Sequence, residues 1–330
     1  MNEEKKYKFK ICIGGHGCND LKIIREECKK IKAFLIDLDE LSQEKFDEAL
    51  KNMDALIAGA ETAITDAQIK IMNKCKIIVS FGVGFDHIDI EAATRRGIVV
   101  SNVPDYGSEE VANQAFALLI NLVKKICKLN HLIKTKDWNF AQKNMRYIYK
   151  LAGKTLGIIG FGRIGSLFAK RAKVFGLKIL VYDPYVGKDY IIKKGYETST
   201  LNNLLKESDF ISLHLPLSKE TNKFLDENKF KLMKKGTFLI NVSRGGLIDE
   251  YALVKALESN CIAGAGLDVL VEEPPNNHNP IMNYFRKSDN LVITPHCGGY
   301  SEETEQNLKL KSIKEVIRFL KGKKPKCQIN

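Results

Sequence analysis

The chain has 330 residues, of which 44% are hydrophobic, 28% charged and 8% aromatic. That length exceeds what one hydrophobic core usually serves, and the composition excludes disordered, collagen-like and disulfide-scaffold classes. The net charge of +12 comes from lysines spread along the whole chain, not from one face or an aromatic-interleaved motif, so no nucleic-acid partner is expected.

No apolar run approaches the roughly 18 residues that a membrane-spanning helix needs, so no membrane partner is expected either. Residues 1–10 are charged and pass straight into a strand-like run, which argues against a secretory signal. The eight cysteines form no C-x-x-C pair, and several fall within apolar segments, as suits a reduced, cytoplasmic protein. Cys12, His16 and Cys18 around Gly14-Gly15 match no zinc spacing, and no metal is expected there.

Strand-like and helix-like segments alternate from the start. Strands are predicted at 9–13, 33–38, 55–58, 77–81 and 98–102, with helices at 20–30, 43–51, 66–73 and 90–96 between them. One long helix is predicted from Ser108 to about Thr135, because Ser108-Glu109-Glu110 suits the positive end of a helix dipole. A second alternating series has strands at 156–160, 178–182, 210–214, 237–242, 264–269 and 291–294, and a last helix spans about 302–320. The fold expected is α/β, with two doubly wound parallel-sheet domains. One is flavodoxin-like, built from residues 1–104 with 297–330; residues 105–296 form the inserted second domain.

The first strand of the inserted domain ends on Gly160-Phe161-Gly162-Arg163-Ile164-Gly165, a dinucleotide fingerprint in its required context. It follows a strand and starts a helix. Gly160 permits the tight turn, Gly162 lets the backbone approach a pyrophosphate, and Gly165 lets helix and strand pack closely. The pyrophosphate would rest on the N–H groups of Arg163 and Ile164. Asp183 lies 18 residues after Gly165, near the spacing of the carboxylate that binds the adenosine ribose hydroxyls. Its charge would repel a 2′-phosphate, and Pro184-Tyr185 supply no compensating Arg, so the cofactor expected is NAD.

About 150 residues of α/β structure precede the fingerprint. With that order of domains the chain resembles the D-isomer-specific 2-hydroxyacid dehydrogenases. The motifs that carry the likeness are Phe81-Gly-Val-Gly-Phe-Asp-His-Ile-Asp89, Asn102-Val-Pro-Asp-Tyr106 and Gly153-Lys-Thr-Leu-Gly-Ile-Ile-Gly-Phe-Gly-Arg-Ile-Gly165. Further along come Asn241-Val-Ser-Arg-Gly-Gly-Leu-Ile-Asp249, Gly266-Leu-Asp-Val269, Glu272-Glu-Pro274 and Thr294-Pro-His-Cys-Gly298.

The resemblance implies three catalytic residues, and each also has a chemical warrant. Arg244 follows a strand, and its planar fork suits the carboxylate and carbonyl of a 2-oxo acid. His296 would exchange a proton with the carbonyl oxygen, because imidazole titrates near working pH. Glu273 would pair with His296 and favour its protonated form; the neighbouring Glu272 is the alternative. The His–Glu combination separates the chain from the related formate dehydrogenases, which carry Gln in place of Glu.

The family pattern assigns the substrate carboxylate to the backbone N–H groups of Val83 and Gly84, with Asp86 and His87 tying that loop to its helix. It places Leu215, Pro216, Val242, Ser243, Asp268 and Gly298 beside the cofactor, with Asp268 near the nicotinamide amide. His214 is read as a strand-end packing residue. The reaction implied is hydride transfer between NAD(H) and a small 2-hydroxy or 2-oxo acid of the glyoxylate, hydroxypyruvate or phosphoglycerate class, in a closing interdomain cleft. A phosphorylated substrate is less favoured, because Ala58-Gly59-Ala60 and Ser80-Phe81 carry no basic side chain and the chain ends soon after its last helix.

The Asn-rich segment 276–290, containing His278, is longer than the family's usual linker and is expected to border the site. The alternative reading on the same fold is an NAD(H)-responsive binding protein similar to the carboxy-terminal binding protein corepressors. The aromatic stretch 135–149, with the sole Trp at Trp138, points through the resemblance to a homodimer.

Overall fold

The computed structural model describes residues 6–330, so the first five residues of the charged N-terminal stretch lie outside it. The chain divides into two compact units, one running to Gly107 and completed by Tyr300–Asn330, the other Ser108–Gly299. The first unit runs β1 (Phe9–Gly14), α1 (Lys22–Lys30), β2 (Ala33–Asp37), α2 (Gln43–Asn52), β3 (Ala55–Ala58), α3 (Asp66–Ile71), β4 (Ile77–Ser80), α4 (Ile90–Arg95) and β5 (Val99–Ser101). Its strands are all parallel, in the order β2-β1-β3-β4-β5. Every residue of β3 and β4 is buried, as expected of central strands covered on both faces.

The second unit begins with α5 (Ser108–Lys124), α6 (Ile126–Thr135) and α7 (Trp138–Lys143). It continues through β6 (Thr155–Ile159), α8 (Arg163–Val174), β7 (Lys178–Tyr182), α9 (Lys188–Lys193), β8 (Glu197–Thr198), α10 (Leu201–Glu207) and β9 (Phe210–Leu213). Then follow α11 (Glu227–Leu232), β10 (Thr237–Asn241), α12 (Glu250–Glu258), β11 (Ile262–Leu267), α13 (Pro280–Phe285) and β12 (Leu291–Ile293). The seven strands are parallel, in the order β12-β11-β10-β9-β6-β7-β8. Strand order reverses beside β6, and in such sheets ligands bind outside the carboxyl ends of the strands at that reversal. The last helix, α14 (Glu302–Leu320), returns to the first unit and packs on α1, β3 and β4.

A helix and a strand among the described residues depart from the sequence expectation. The single helix expected over 108–135 is broken at Lys125, which takes a left-handed conformation with φ 55°. The Asn121 side chain accepts a hydrogen bond from Cys127 N at 2.9 Å and so satisfies an N–H of the restarted helix α6. Strand β8 was not predicted; two residues at a sheet edge leave no periodic pattern to read.

Candidate active site

The chemistry-bearing residues of the second unit share one edge of one sheet. β6 ends at the fingerprint, β7 at Asp183, β9 at His214, β10 just before Arg244, β11 at Asp268 and β12 just before Thr294 and His296. Parallel pairing gathers side chains that are more than a hundred residues apart in sequence.

Gly162 is the N-cap of α8, and a Cβ built on it would meet nothing within 4 Å. A Cβ on Gly165 would lie 2.1 Å from the Gly160 carbonyl oxygen, so there the helix rests directly on the loop. The Asp183 carboxylate caps the same loop: Oδ2 accepts from Phe161 N at 2.7 Å, and Oδ1 from Tyr185 N at 2.8 Å and Val186 N at 3.0 Å. An open cradle at a helix N-terminus, with a carboxylate beside it, fits a dinucleotide pyrophosphate and ribose.

Nearby, His214 donates or accepts at Nε2 with Ser212 Oγ, 2.9 Å away, and its ring lies 5.4 Å from that of Phe168. Burial pushes its pKa down to about 3, so the imidazole stays neutral and serves packing. Leu215 is buried, and the Pro216 carbonyl accepts from Thr221 Oγ1 at 2.7 Å.

His296 Nδ1 donates to Glu273 Oε2 at 2.6 Å. The other oxygen, Oε1, accepts from Leu270 N at 2.8 Å. Of the two candidate carboxylates, Glu273 therefore meets the imidazole, while Glu272 accepts from Asn276 Nδ2. Burial pushes the Glu273 carboxyl up, but the His296 imidazole, the Leu270 N–H and the Arg244 guanidinium outweigh it and hold the group below its ordinary 4.5. Stability from this ionised carboxylate is fully present above 4.5 and is lost only as pH falls through the lowered value.

Arg244 follows a turn made by a buried asparagine. Asn241 Nδ2 donates to the Arg244 carbonyl at 2.8 Å, and its Oδ1 accepts from Ser243 N at 3.0 Å. Ser243 Oγ then donates to the Leu213 carbonyl at 2.8 Å, tying the turn to β9, and Val242 is buried beneath it.

The His296 loop is built around Asp268. The Asp268 carbonyl accepts from His296 N at 2.8 Å, and its carboxylate accepts from Thr294 Oγ1 at 2.5 Å, Cys297 N at 3.1 Å and Gly298 N at 2.8 Å. Those bonds hold His296 in a left-handed conformation with φ 52°. Gln114 of α5 adds a bond from Nε2 to Thr294 Oγ1 at 2.9 Å.

Sequence reasoning gave no role to Gln114 or Asn241. The available signal was a buried amide at a strand end and a polar residue among the buried positions of α5, Ala112, Ala115 and Leu118.

In the first unit, Gly82-Val83-Gly84 follows β4. The loop is pinned by Ser80 Oγ donating to the Gly84 carbonyl at 2.5 Å and by Asn102 Nδ2 donating to the Val83 carbonyl at 2.6 Å. His87 Nε2 lies 3.1 Å from the Ala58 carbonyl, and so holds that loop to the end of β3. His16, Asp37 and Asp39 bring three potential ligand atoms within 4.8 Å of one another. Cys18 N donates to His16 Nδ1 at 2.9 Å, so Nε2 carries the proton and donates to Asp37 Oδ1 at 3.2 Å. A metal at Nε2 would need the lone pair that this tautomer lacks.

The sequence pattern of the D-isomer specific 2-hydroxyacid dehydrogenase, NAD binding domain, matches residues 116–298. The chain belongs to that family. A glyoxylate reductase of Thermococcus litoralis is 40% identical over 287 residues, which are 86% of this chain and 85% of that protein. A D-3-phosphoglycerate dehydrogenase of Methanocaldococcus jannaschii is 40% identical over 282 residues, covering 84% of this chain and 52% of that longer protein. Among solved structures, the D-lactate dehydrogenase of Aquifex aeolicus, complexed with NAD and lactic acid, superposes with a TM-score of 0.85 at 31% identity and covers 94% of this chain and 96% of that one.

This D-2-hydroxyacid dehydrogenase is thus an NAD-dependent oxidoreductase with two parallel-sheet α/β domains. No helix among its described residues is long and apolar enough to cross a membrane.

Proposed function

We propose that this dehydrogenase interconverts a small, unphosphorylated 2-oxo acid of the glyoxylate–hydroxypyruvate class with its 2-hydroxy acid. The observation that carries the chemistry is the 2.6 Å bond between His296 Nδ1 and Glu273 Oε2. With Nδ1 held by the carboxylate, Nε2 is the nitrogen that exchanges a proton with the substrate oxygen. Glu273 orients the ring and fixes which of its two nitrogens is left for the substrate. Arg244 is assigned the carbonyl and carboxylate of the acid, by its planar array of donors. The Val83 and Gly84 N–H groups are assigned the carboxylate, on the family resemblance.

Gly160, Gly162, Arg163, Ile164 and Gly165 would hold the NAD pyrophosphate, and Asp183 the adenosine ribose. Leu215, Pro216, Val242, Ser243, Asp268, His296 and Gly298 are assigned to the rest of the cofactor. When bound, NADH supplies the hydride that reduces the carbonyl carbon. The identity of the matched relatives, reductases and dehydrogenases by name, supports turnover over the partner-recruiting alternative.

The first unit is assigned the substrate-binding role and the second the cofactor. An NADH-oxidation screen of glyoxylate, hydroxypyruvate, pyruvate, 2-oxoglutarate and 3-phosphohydroxypyruvate tests the reading. Turnover of glyoxylate or hydroxypyruvate is expected to exceed that of the phosphorylated acid, and the reverse order would overturn the substrate class.

We also propose a homodimer formed through the stretch after α6. Trp138 is 69% and Tyr147 72% exposed, with Phe140 and Tyr149 exposed beside them. Aromatic side chains so placed are characteristic of interfaces. Sedimentation is expected to give a dimer at micromolar concentration, converted to monomer by Trp138→Asp; a monomeric parent protein would refute it. Eight free cysteines support a reducing compartment, and we assign the enzyme to the cytoplasm.

A further inference from the structure

The segment between β11 and α13 has no regular structure, yet it carries Glu273, whose position decides whether His296 has a partner. One side chain ties it down on both sides of Glu273. Val271 N donates to Glu250 Oε1 at 2.9 Å, and Asn279 Nδ2 donates to Glu250 Oε2 at 3.0 Å. Glu250 is itself fixed as the first residue of α12, whose N-cap Asp249 accepts from Tyr251 N and Ala252 N. The Asn279 amide cannot turn over, because its Oδ1 caps α13 by accepting from Met282 N at 3.0 Å. The Arg244 turn leans on the same segment: a Cβ on Gly245 would lie 1.9 Å from the Leu270 carbonyl carbon.

We propose that Glu250 is a positioning residue for the Glu273–His296 pair, its carboxylate bracing Val271 and Asn279 so that Glu273 is held in reach of His296 Nδ1. The proposal rests on the acid–base reading given above and deepens it. Both groups that Glu250 meets are donors, and a carboxylate offers an acceptor oxygen to each. Glutamine offers one acceptor and turns a donor toward the second group; alanine offers nothing. Released at 271 and 279, the segment is free to move by an ångström, and displacements of that size are costly to a reaction that depends on alignment.

The test is a double-mutant cycle on NADH oxidation, using glyoxylate or whichever acid of the screen the parent protein reduces. Glu250→Ala is expected to lower kcat about tenfold, on the scale of a small misplacement, and Glu250→Gln less. NADH affinity is expected to stay within about twofold, because neither group touches the nucleotide site. In a Glu273→Gln background the effect of Glu250→Ala on kcat is expected to shrink to less than about twofold, since the group it positions is already disabled. A merely structural role would lower kcat by the same factor in both backgrounds, and that result overturns the proposal. If Glu250→Ala does not fold, Glu250→Gln is carried through the same cycle with the same criterion.

His296→Ala separates the two levels of failure. If it keeps the parent turnover, or if the parent reduces none of the acids, the acid–base reading falls and this proposal with it. If His296→Ala is inactive and the cycle is additive, only the role of Glu250 falls.

Discussion

His296→Ala is expected to cut turnover of the 2-oxo acid by roughly 100- to 10,000-fold, the range that a positioned general acid contributes. The imidazole is a side chain at an exposed position, so its removal creates no core cavity. The backbone at 296 is held by the Asp268 carbonyl and not by the ring. Alanine, like histidine, carries a Cβ at φ 52°, so the substitution adds little strain. Melting temperature is therefore expected to fall by only a few degrees, reflecting the loss of a half-exposed ion pair. NADH affinity, read by fluorescence titration, is expected to stay within about threefold, because the residues proposed to hold the pyrophosphate and ribose lie elsewhere on the sheet edge. A kcat near that of the parent protein would sink the assignment of the proton donor. So would a collapse of NADH binding in step with kcat, which would make His296 a cofactor contact and no more.

The sheets were legible in the sequence because central parallel strands are buried on both faces and read as short apolar runs. β3 and β7 were located to the residue, and β4 to within one residue. The fingerprint was legible because each glycine answers a local geometric demand within a span of six residues. The break at Lys125 was not, since its cause is a left-handed residue of no special type and an Asn121 bond that spans the gap. The Asn-rich segment 276–290 read as an extended linker, yet Asn279 caps a helix there with Pro280 as its first residue.

Pairing of Glu273 with His296 was expected from charge and resemblance, but the scaffolding of that pair was invisible. Asp268, Gln114 and Glu250 act through bonds to residues 26 to 180 positions away, or 21 and 29 in the case of Glu250. No single-sequence pattern encodes such distances. A buried aspartate with several donors on its carboxylate is recognisable only once β11 and β12 lie side by side.

Gly162→Ala and Gly165→Ala are expected to fail in opposite ways, although both glycines belong to one motif. At Gly165 the new Cβ would sit 2.1 Å from the Gly160 oxygen, which is backbone and cannot rotate away. Helix α8 must lift from the β6 loop, at the upper end of or beyond the usual overpacking cost of about 1–3 kcal/mol. Gly165→Ala should therefore lower the melting temperature of the apo protein and reduce the yield of folded material.

At Gly162 the backbone has φ −75° and ψ −156°, at the edge of the β region, and the Cβ meets no protein atom within 4 Å. Restriction of the unfolded chain and the edge-of-region backbone oppose one another there, so stability should change by less than about 1 kcal/mol. The same methyl would stand where the pyrophosphate is proposed to approach the N-terminus of α8, so NADH affinity is expected to fall at least tenfold, about 1.4 kcal/mol. Calorimetric melting together with fluorescence titration of NADH separates the two effects. A Gly162→Ala protein that is stable and binds NADH like the parent would remove the pyrophosphate from this cradle. A stable protein with weakened binding would mean that the sequence keeps glycine at 162 for the ligand, and glycine at 165 for the fold.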